Sequence, residues 1–213
     1  MYVDNYQYMK TIGFFGDSFC ASDHPESWCN ILQQKLGADR IRWFGNRGRS
    51  IWSVFFQYNK LIAQDKVPDI SIFCWTEPYR LYHPSLVLSA NTQPESDSDP
   101  NVYKALDDYW KHLHNYDKDE MAYEYALKHY DQKILSQVRS EIVQMWSFRP
   151  FECNDNKDAG IKLQTGTFID ESLYAFAFSG GWKVNSGFFA DTINHMTAEQ
   201  NQQWADKVYD RIS

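Results

Sequence analysis

The sequence predicts an α/β fold, a single domain spanning residues 1–213 and built on a parallel sheet. Three observations lead there. Short apolar runs alternate with longer amphipathic stretches, so strand, helix, strand, helix, strand follow one another from the N-terminus. The third run, "DISIFCW", is apolar enough to be buried on both faces, as strands of parallel sheets are. The chain of 213 residues, 43% of them hydrophobic, is long enough for one full core and too apolar to be disordered.

The elements can be justified in order. "KTIGFFGDS" reads as a buried strand ending at Gly16. "DHPESWCNILQQKLG" reads as a helix capped by Asp23, with Pro25 in an early turn, Glu26 three residues after the cap and Gly37 as its stop. Trp28, Ile31, Leu32 and Leu36 share one face of it. "RIRWFGN" is the second strand, and "SIWSVFFQYNKLIAQ" is a helix with Ile51, Val54, Phe55, Tyr58, Leu61 and Ile62 inward. "DISIFCW" and "EIVQMWSF" are the third and fourth strands. "TAEQNQQWADKVYDRI" closes the chain as a helix, with Thr197 and Gln200 forming a capping box. A helical insertion around residues 85–135 separates the third and fourth strands. In it, "NVYKALDDYWKHLHNY" is expected to cap one end of the sheet and "DEMAYEYALKHYDQKILSQVRS" to serve as the crossover helix. His112, His114 and His129 lie on these charged helices and are expected to be solvated. Residues 152–167 have little periodicity and read as a loop.

Composition removes several partner classes. A formal net charge of −7 disfavours a nucleic-acid backbone, which wants clustered Lys and Arg, and an anionic membrane surface. No run approaches the length of a membrane span. The start, "MYVDNYQYMK", has no basic segment followed by an apolar one, so no signal peptide and a cytoplasmic location are expected. Cys20, Cys29, Cys74 and Cys153 form no CxxC and no grouping with His. Free thiols are therefore expected, with a Cys20–Cys29 bridge as the alternative; the serine chemistry read below implies no metal and no cofactor.

In parallel sheets, ligands bind outside the carboxyl ends of the strands. Ser18, Gly48, Glu77 and the loop after Phe148 all fall just past predicted strand ends. A serine hydroxyl becomes a nucleophile when a base takes its proton, most often a histidine oriented by a carboxylate. The late stretch "FFADTINHMTAEQ" offers Asp191 and His195 for those roles. An oxyanion needs N–H donors, for which Ser18 and Gly48 are backbone candidates. Asn46 either braces the turn or donates from its side chain. Asp17, Trp75, Thr76, Glu77 and Arg80 flank the same edge as candidate substrate-binding residues.

"GFFGDSFC", with "NRGRS" after the second strand and "DTINHMT" before the last helix, resembles the SGNH hydrolase superfamily, the GDSL-type esterases and lipases. The motifs stand in the family's order and spread over nearly the whole chain. The resemblance implies a three-layer α/β/α, flavodoxin-like sheet, with Ser18 as nucleophile, His195 as base, Asp191 as acid, and the Ser18 and Gly48 amides as oxyanion donors. Two departures stand out. The family's Gly-x-Asn-Asp block is replaced by "FCWTEPYR", so Glu77 falls where an Asn donor is usual, and an ionised carboxylate cannot donate. Either Glu77 turns away toward Arg80, or Thr76, Trp75 or Arg80 supplies the donor. The late motif is Asp-x-x-x-His where Asp-x-x-His is usual. "WTEPYR" and "NHMT" are also similar to stretches of SGNH-like proteins encoded by tailed bacteriophages.

The resemblance implies an ester hydrolase acting on a small-molecule or glycan ester, with a short acyl group such as acetyl on a sugar as the modal substrate. Two other functions stay open on sequence alone. One is a catalytically weakened glycan- or protein-binding module. The other is an O-acyltransferase with an alcohol acceptor. Each residue also has a plainer role: Ser18 and Asp17 as turn caps, His195 as a helix-start histidine, Asp191 as a surface turn residue, and Glu77 as a surface partner of Arg80.

Overall fold

The computed structural model describes residues 10–21, 24–38, 40–83, 88, 99–148, 161–179 and 193–213. Among these residues, five strands form one parallel sheet: β1 (Thr11–Phe15), β2 (Arg40–Trp43), β3 (Ile70–Trp75), β4 (Glu141–Trp146) and β5 (Thr167–Ser172), in the order β2-β1-β3-β4-β5. This is the flavodoxin-like order, with its switch point between β1 and β3. Among the described residues, six α-helices accompany the sheet: α1 (Trp28–Lys35), α2 (Ile51–Ala63), α3 (Pro100–His112), α4 (Tyr116–Lys133), α5 (Leu173–Ser179) and α6 (Ala198–Ile212).

Strand alternation sorts the core into two layers. Ile12 and Phe14 of β1, Ile70, Ile72 and Cys74 of β3, and Val143 and Met145 of β4 pack with Trp28 and Leu32 of α1 and Trp204 and Val208 of α6. Phe15, Phe73, Trp75, Ile142 and Trp146 point the other way, against Val54, Phe55 and Tyr58 of α2 and Tyr123, Leu127 and Tyr130 of α4. Side chains alternate along a strand with period two, so a continuous apolar run feeds both layers at once.

The closing helix starts as its sequence predicts, with Thr197 Oγ1 accepting from Gln200 N and Gln200 Oε1 from Thr197 N. The first helix differs. It begins at Trp28 with Ser27 as its N-cap, four residues after the predicted cap, and residues 25–26 form a turn. Asp23 lies outside the described residues. The strand β5 and helix α5 are absent from the sequence reading: "TFIDES" buries only Ile169 and Ser172 fully, so its apolar signal is weak for a strand. Cys20, Cys29 and Cys74 are free thiols in the core.

Among the described residues the insertion forms two helices, as the sequence predicts. α4 buries Tyr123, Leu127 and Tyr130 and covers the sheet as a crossover helix, whereas α3 buries only Leu106. His112 and His129 are exposed. His114 is not: its side chain is 5% exposed, its ring centroid lies 4.2 Å from those of both Trp110 and Tyr116, and Asp119 stands 3.2 Å from Nε2. Aromatic partners a few residues away along the helical hairpin enclose it.

Candidate active site

The carboxyl ends of β1, β2 and β3 meet at the switch point. Two glycines let them approach. A Cβ on Gly16 would lie 2.5 Å from the Cys74 carbonyl oxygen, and one on Gly45 would lie 2.4 Å from that of Cys20. Neither distance is tolerable, so only glycine lets the loop after β2 and the end of β3 close on the turn after β1.

That turn carries Ser18. Residues Ser18–Cys20 form one 3-10 turn, capped by Asp17, whose Oδ1 accepts from Phe19 N at 3.1 Å. Ser18 is the first residue of this turn, so its own N–H has no acceptor within it. Asp17 is fully buried, and its other oxygen lies 3.2 Å from Arg80 Nη1. Arg80 also donates from Nε to Glu77 Oε1 at 2.8 Å and from Nη1 to the Arg49 carbonyl at 3.5 Å, and its guanidinium lies over the Phe148 ring. The Glu77 carboxylate is thereby turned onto Arg80, one of the two arrangements the sequence allows for it.

His195 arrives from the far end of the chain. Its Nε2 lies 2.7 Å from Ser18 Oγ, a hydrogen bond across 177 positions of sequence. The residue sits in a two-residue turn, in which Ile193 and Met196 exchange both backbone hydrogen bonds and Asn194 and His195 have φ of +53° and +66°. Both central residues are left-handed, as a type I′ turn requires. The ring packs against Phe19, 4.7 Å between centroids. Burial pushes the His195 pKa below its ordinary value; the Asp17 charge opposes that shift, and Arg47 and Arg80 add to it.

Gly48 has φ of +64° in the turn from Asn46 to Arg49 that leads into α2. Asn46 braces this loop through its backbone, its N–H donating to the Gly16 carbonyl at 3.3 Å, and its side chain is exposed. Thr76 is buried, and its carbonyl accepts from the Tyr123 hydroxyl at 2.5 Å. Burial holds that phenol protonated, its pKa well above the usual range. Trp75 corrects the sequence reading: its side chain is fully buried, stacked on Phe73, and its indole N–H donates to Gln144 Oε1 at 3.0 Å. It belongs to the core and not to the cleft, because the last residue of β3 points into the α2–α4 layer. Asp191 and Cys153 lie outside the described residues.

Three contributors were not legible beforehand: Phe19 and Arg47, which shape the surroundings of the imidazole, and Asn201. The last had a signal, since an Asn on the inward stripe of α6, beside Trp204, Ala205 and Val208, is a polar residue where an apolar one is expected. Among the described residues, no group of His, Cys, Asp and Glu side chains could hold a metal ion. Burial also raises the Cys29 and Cys74 thiols well above their usual pKa, so they are protonated and poor nucleophiles. Among these residues no helix is long and apolar enough to cross a membrane.

No protein-family model matches the sequence, and no curated protein matches it. Solved structures do resemble the fold. The psychrotrophic esterase EstA from Pseudoalteromonas sp., in a structure inhibited by monoethylphosphonate, is similar over 95% of this chain and 96% of its own, with 12% identity and a TM-score of 0.50. TesA is similar over 96% of this chain and 98% of its own, with 15% identity and a TM-score of 0.53. The chain has the α/β/α fold of these two structures, with the flavodoxin-like strand order expected from the sequence.

Proposed function

We propose that this protein is a carboxylic-ester hydrolase using Ser18 as nucleophile and His195 as base. One observation carries the proposal: the 2.7 Å contact between His195 Nε2 and Ser18 Oγ. A binding module has no need of that contact. In the proposed reaction, Nε2 takes the Ser18 proton as Oγ bonds to the ester carbonyl carbon, and the carbonyl π electrons move to oxygen. The Ser18 and Gly48 amides, with the Asn46 side chain as a further candidate, would receive that oxyanion. Collapse breaks the bond to the alcohol, which leaves with the proton from Nε2, and an acyl-Ser18 remains. Water then attacks the acyl group, its proton passing to Nε2. The second collapse releases the acid and returns that proton to Ser18 Oγ. Asp191 is proposed to orient the imidazole from the Nδ1 side. Arg80, bound to Asp17 and Glu77, fixes the turn on which Ser18 stands.

Burst kinetics with p-nitrophenyl acetate test this. The protein is expected to release a stoichiometric burst of p-nitrophenol that Ser18→Ala and His195→Ala abolish. Folded protein with no turnover above that of Ser18→Ala would overturn the proposal. Adding a primary alcohol as competing acceptor separates hydrolysis from acyl transfer: a hydrolase still releases mainly free acid.

A further inference from the structure

The outer face of α2 exposes two aromatic rings, Trp52 and Phe56, where a surface helix is ordinarily polar. Trp52, Phe56 and Lys60 recur at four-residue spacing and so share one side of the helix, spanning about 12 Å along it. Trp52 is 41% exposed, Phe56 68% and Tyr82 40%. Phe56 and Tyr82 stack face to face, 5.3 Å between centroids and 9° between planes. These residues, with Phe55 and Leu81, line a groove of about 780 Å³. That volume is in the range of small-molecule sites.

The groove is joined to the catalytic edge. A smaller cavity of about 220 Å³ shares Phe56, Lys60 and Tyr82 with it and is also lined by Arg49. Arg49 follows Gly48 directly, and its carbonyl accepts from the Arg80 guanidinium that also holds Asp17, the neighbour of Ser18. Arg49 Nη1 in turn donates to the His83 carbonyl at 3.2 Å, tying the loop after β2 to the segment that carries Tyr82. The larger groove offers few polar partners besides Lys60, since the Asn59 oxygen already accepts from Tyr130 OH at 3.0 Å, whereas Arg49, Ser53 and Gln57 gather in the smaller cavity. A sugar ring could stack on the aromatics but would leave most hydroxyls unpaired, whereas an alkyl chain needs no partners.

We propose that this groove binds an apolar chain of the ester substrate, at least several methylenes long, running from the Gly48–Arg49 turn along α2. The assignment rests on the esterase reading and specifies its substrate class. An apolar acyl chain and an apolar alcohol would present the same chemistry to the groove. Two series separate them: p-nitrophenyl esters of acids from acetate to dodecanoate, and acetate esters of alkanols of rising length. The half of the ester that occupies the groove is the half whose lengthening raises kcat/KM.

Binding is read separately from catalysis. Ser18→Ala protein is titrated calorimetrically with alkanoates and with alkanols of four to twelve carbons. Affinity for one of the two is expected to rise about three- to fourfold per added methylene until the groove is filled. Phe56→Asp, at a highly exposed position, is expected to weaken dodecyl-chain binding at least tenfold while the thermal midpoint stays within a few degrees. Affinity that is independent of chain length, or indifferent to Phe56→Asp, overturns the proposal. So does a dimer of the unmodified protein that Phe56→Asp dissociates, which would give the groove to a second copy of the chain. Chain-length-dependent binding without any esterase burst would leave the groove standing and remove the catalytic reading instead.

Discussion

The side-chain oxygen of Asn201 accepts the backbone N–H of Trp28 at 2.8 Å, joining the first turn of α1 to the loop that carries the catalytic candidate His195. From the same amide, Nδ2 donates to the carbonyls of Ile193, Met196 and Thr197 at 2.9, 3.2 and 3.0 Å. The group is fully buried. It satisfies an otherwise orphaned helix N–H and pins both sides of the His195 turn. Replacing Asn201 with Ala strands those partners at a cost of about 2–3 kcal/mol. Its thermal midpoint is expected to fall by roughly 5–10 °C. If the esterase reading holds, kcat falls more than KM rises, because the histidine loses its position and not the substrate its groove. A midpoint within a degree of the unmodified protein contradicts this role.

The pair of Arg80 and Asp17 is nearly enclosed, with Arg80 at 9% exposure and Asp17 at none. Removing one partner of such a pair leaves an uncompensated buried charge. Arg80→Ala is expected to cost about 3–5 kcal/mol in urea denaturation. Arg80→Lys should recover only part, because a single ammonium cannot reproduce the separate Nε contact to Glu77 and Nη1 contact to Asp17. Full rescue by lysine would show that charge alone matters there.

Acid sensitivity follows from His195. Its folded-state pKa is lowered, chiefly by burial, so the unfolded chain takes up a proton at a higher pH than the fold does. Stability from this group is complete above the unfolded value of about 6.5 and is lost as pH falls from there through the folded value. In the proposed reaction the base must be neutral, so the acid limb of kcat/KM is expected below about 6.5. Arg47→Gln removes a charge that disfavours imidazolium and should move that limb upward in pH. A limb at or above the ordinary histidine value in the unmodified protein would show that the imidazole is not shielded as its burial implies.

At the entry to β5, the buried Asp131 carboxylate accepts from Gln164 N at 2.8 Å, Thr165 N at 3.1 Å and Gln144 Nε2 at 2.7 Å. It ties α4 to the segment entering β5. Asp131→Ala strands the Gln164 and Thr165 amides and leaves Gln144 Nε2 with only the Thr165 carbonyl, and is expected to lower the thermal midpoint by about 5–10 °C. With the site untouched, KM for p-nitrophenyl acetate should stay within twofold below the transition. A midpoint unchanged by the substitution would mean that water replaces the carboxylate at no cost.

Much of this organisation is written locally. The runs "TIGFF" and "ISIFCW" are apolar on both faces, so their burial in two layers follows from composition, and the Thr197–Gln200 box fixes the start of α6 through neighbours in sequence. The edge strand β5 is not written that way, since it is buried on one side only and its exposed residues read as loop. Ser18 and Gly48 were legible as motifs past strand ends, and His195 as a histidine just before the closing helix. Trp75 was misplaced because a strand's last residue can face either layer, and which one depends on register with β4. His114 was misplaced because the rings that enclose it come from a hairpin whose closure no residue announces.

The left-handed backbone at His195 sets folding against the proposed chemistry. At the third position of a type I′ turn, glycine or asparagine is comfortable, and a histidine there carries strain on the order of 1 kcal/mol or more. Selection for foldedness alone would drift away from imidazole at this position. A library sorted only for stability should therefore enrich Gly or Asn at residue 195, and retention of His under such sorting would show that its contacts with Ser18 and Phe19 outweigh the strain. Position 195 is thus where the demands of the fold and those of a hydrolytic function can be weighed against each other in one experiment.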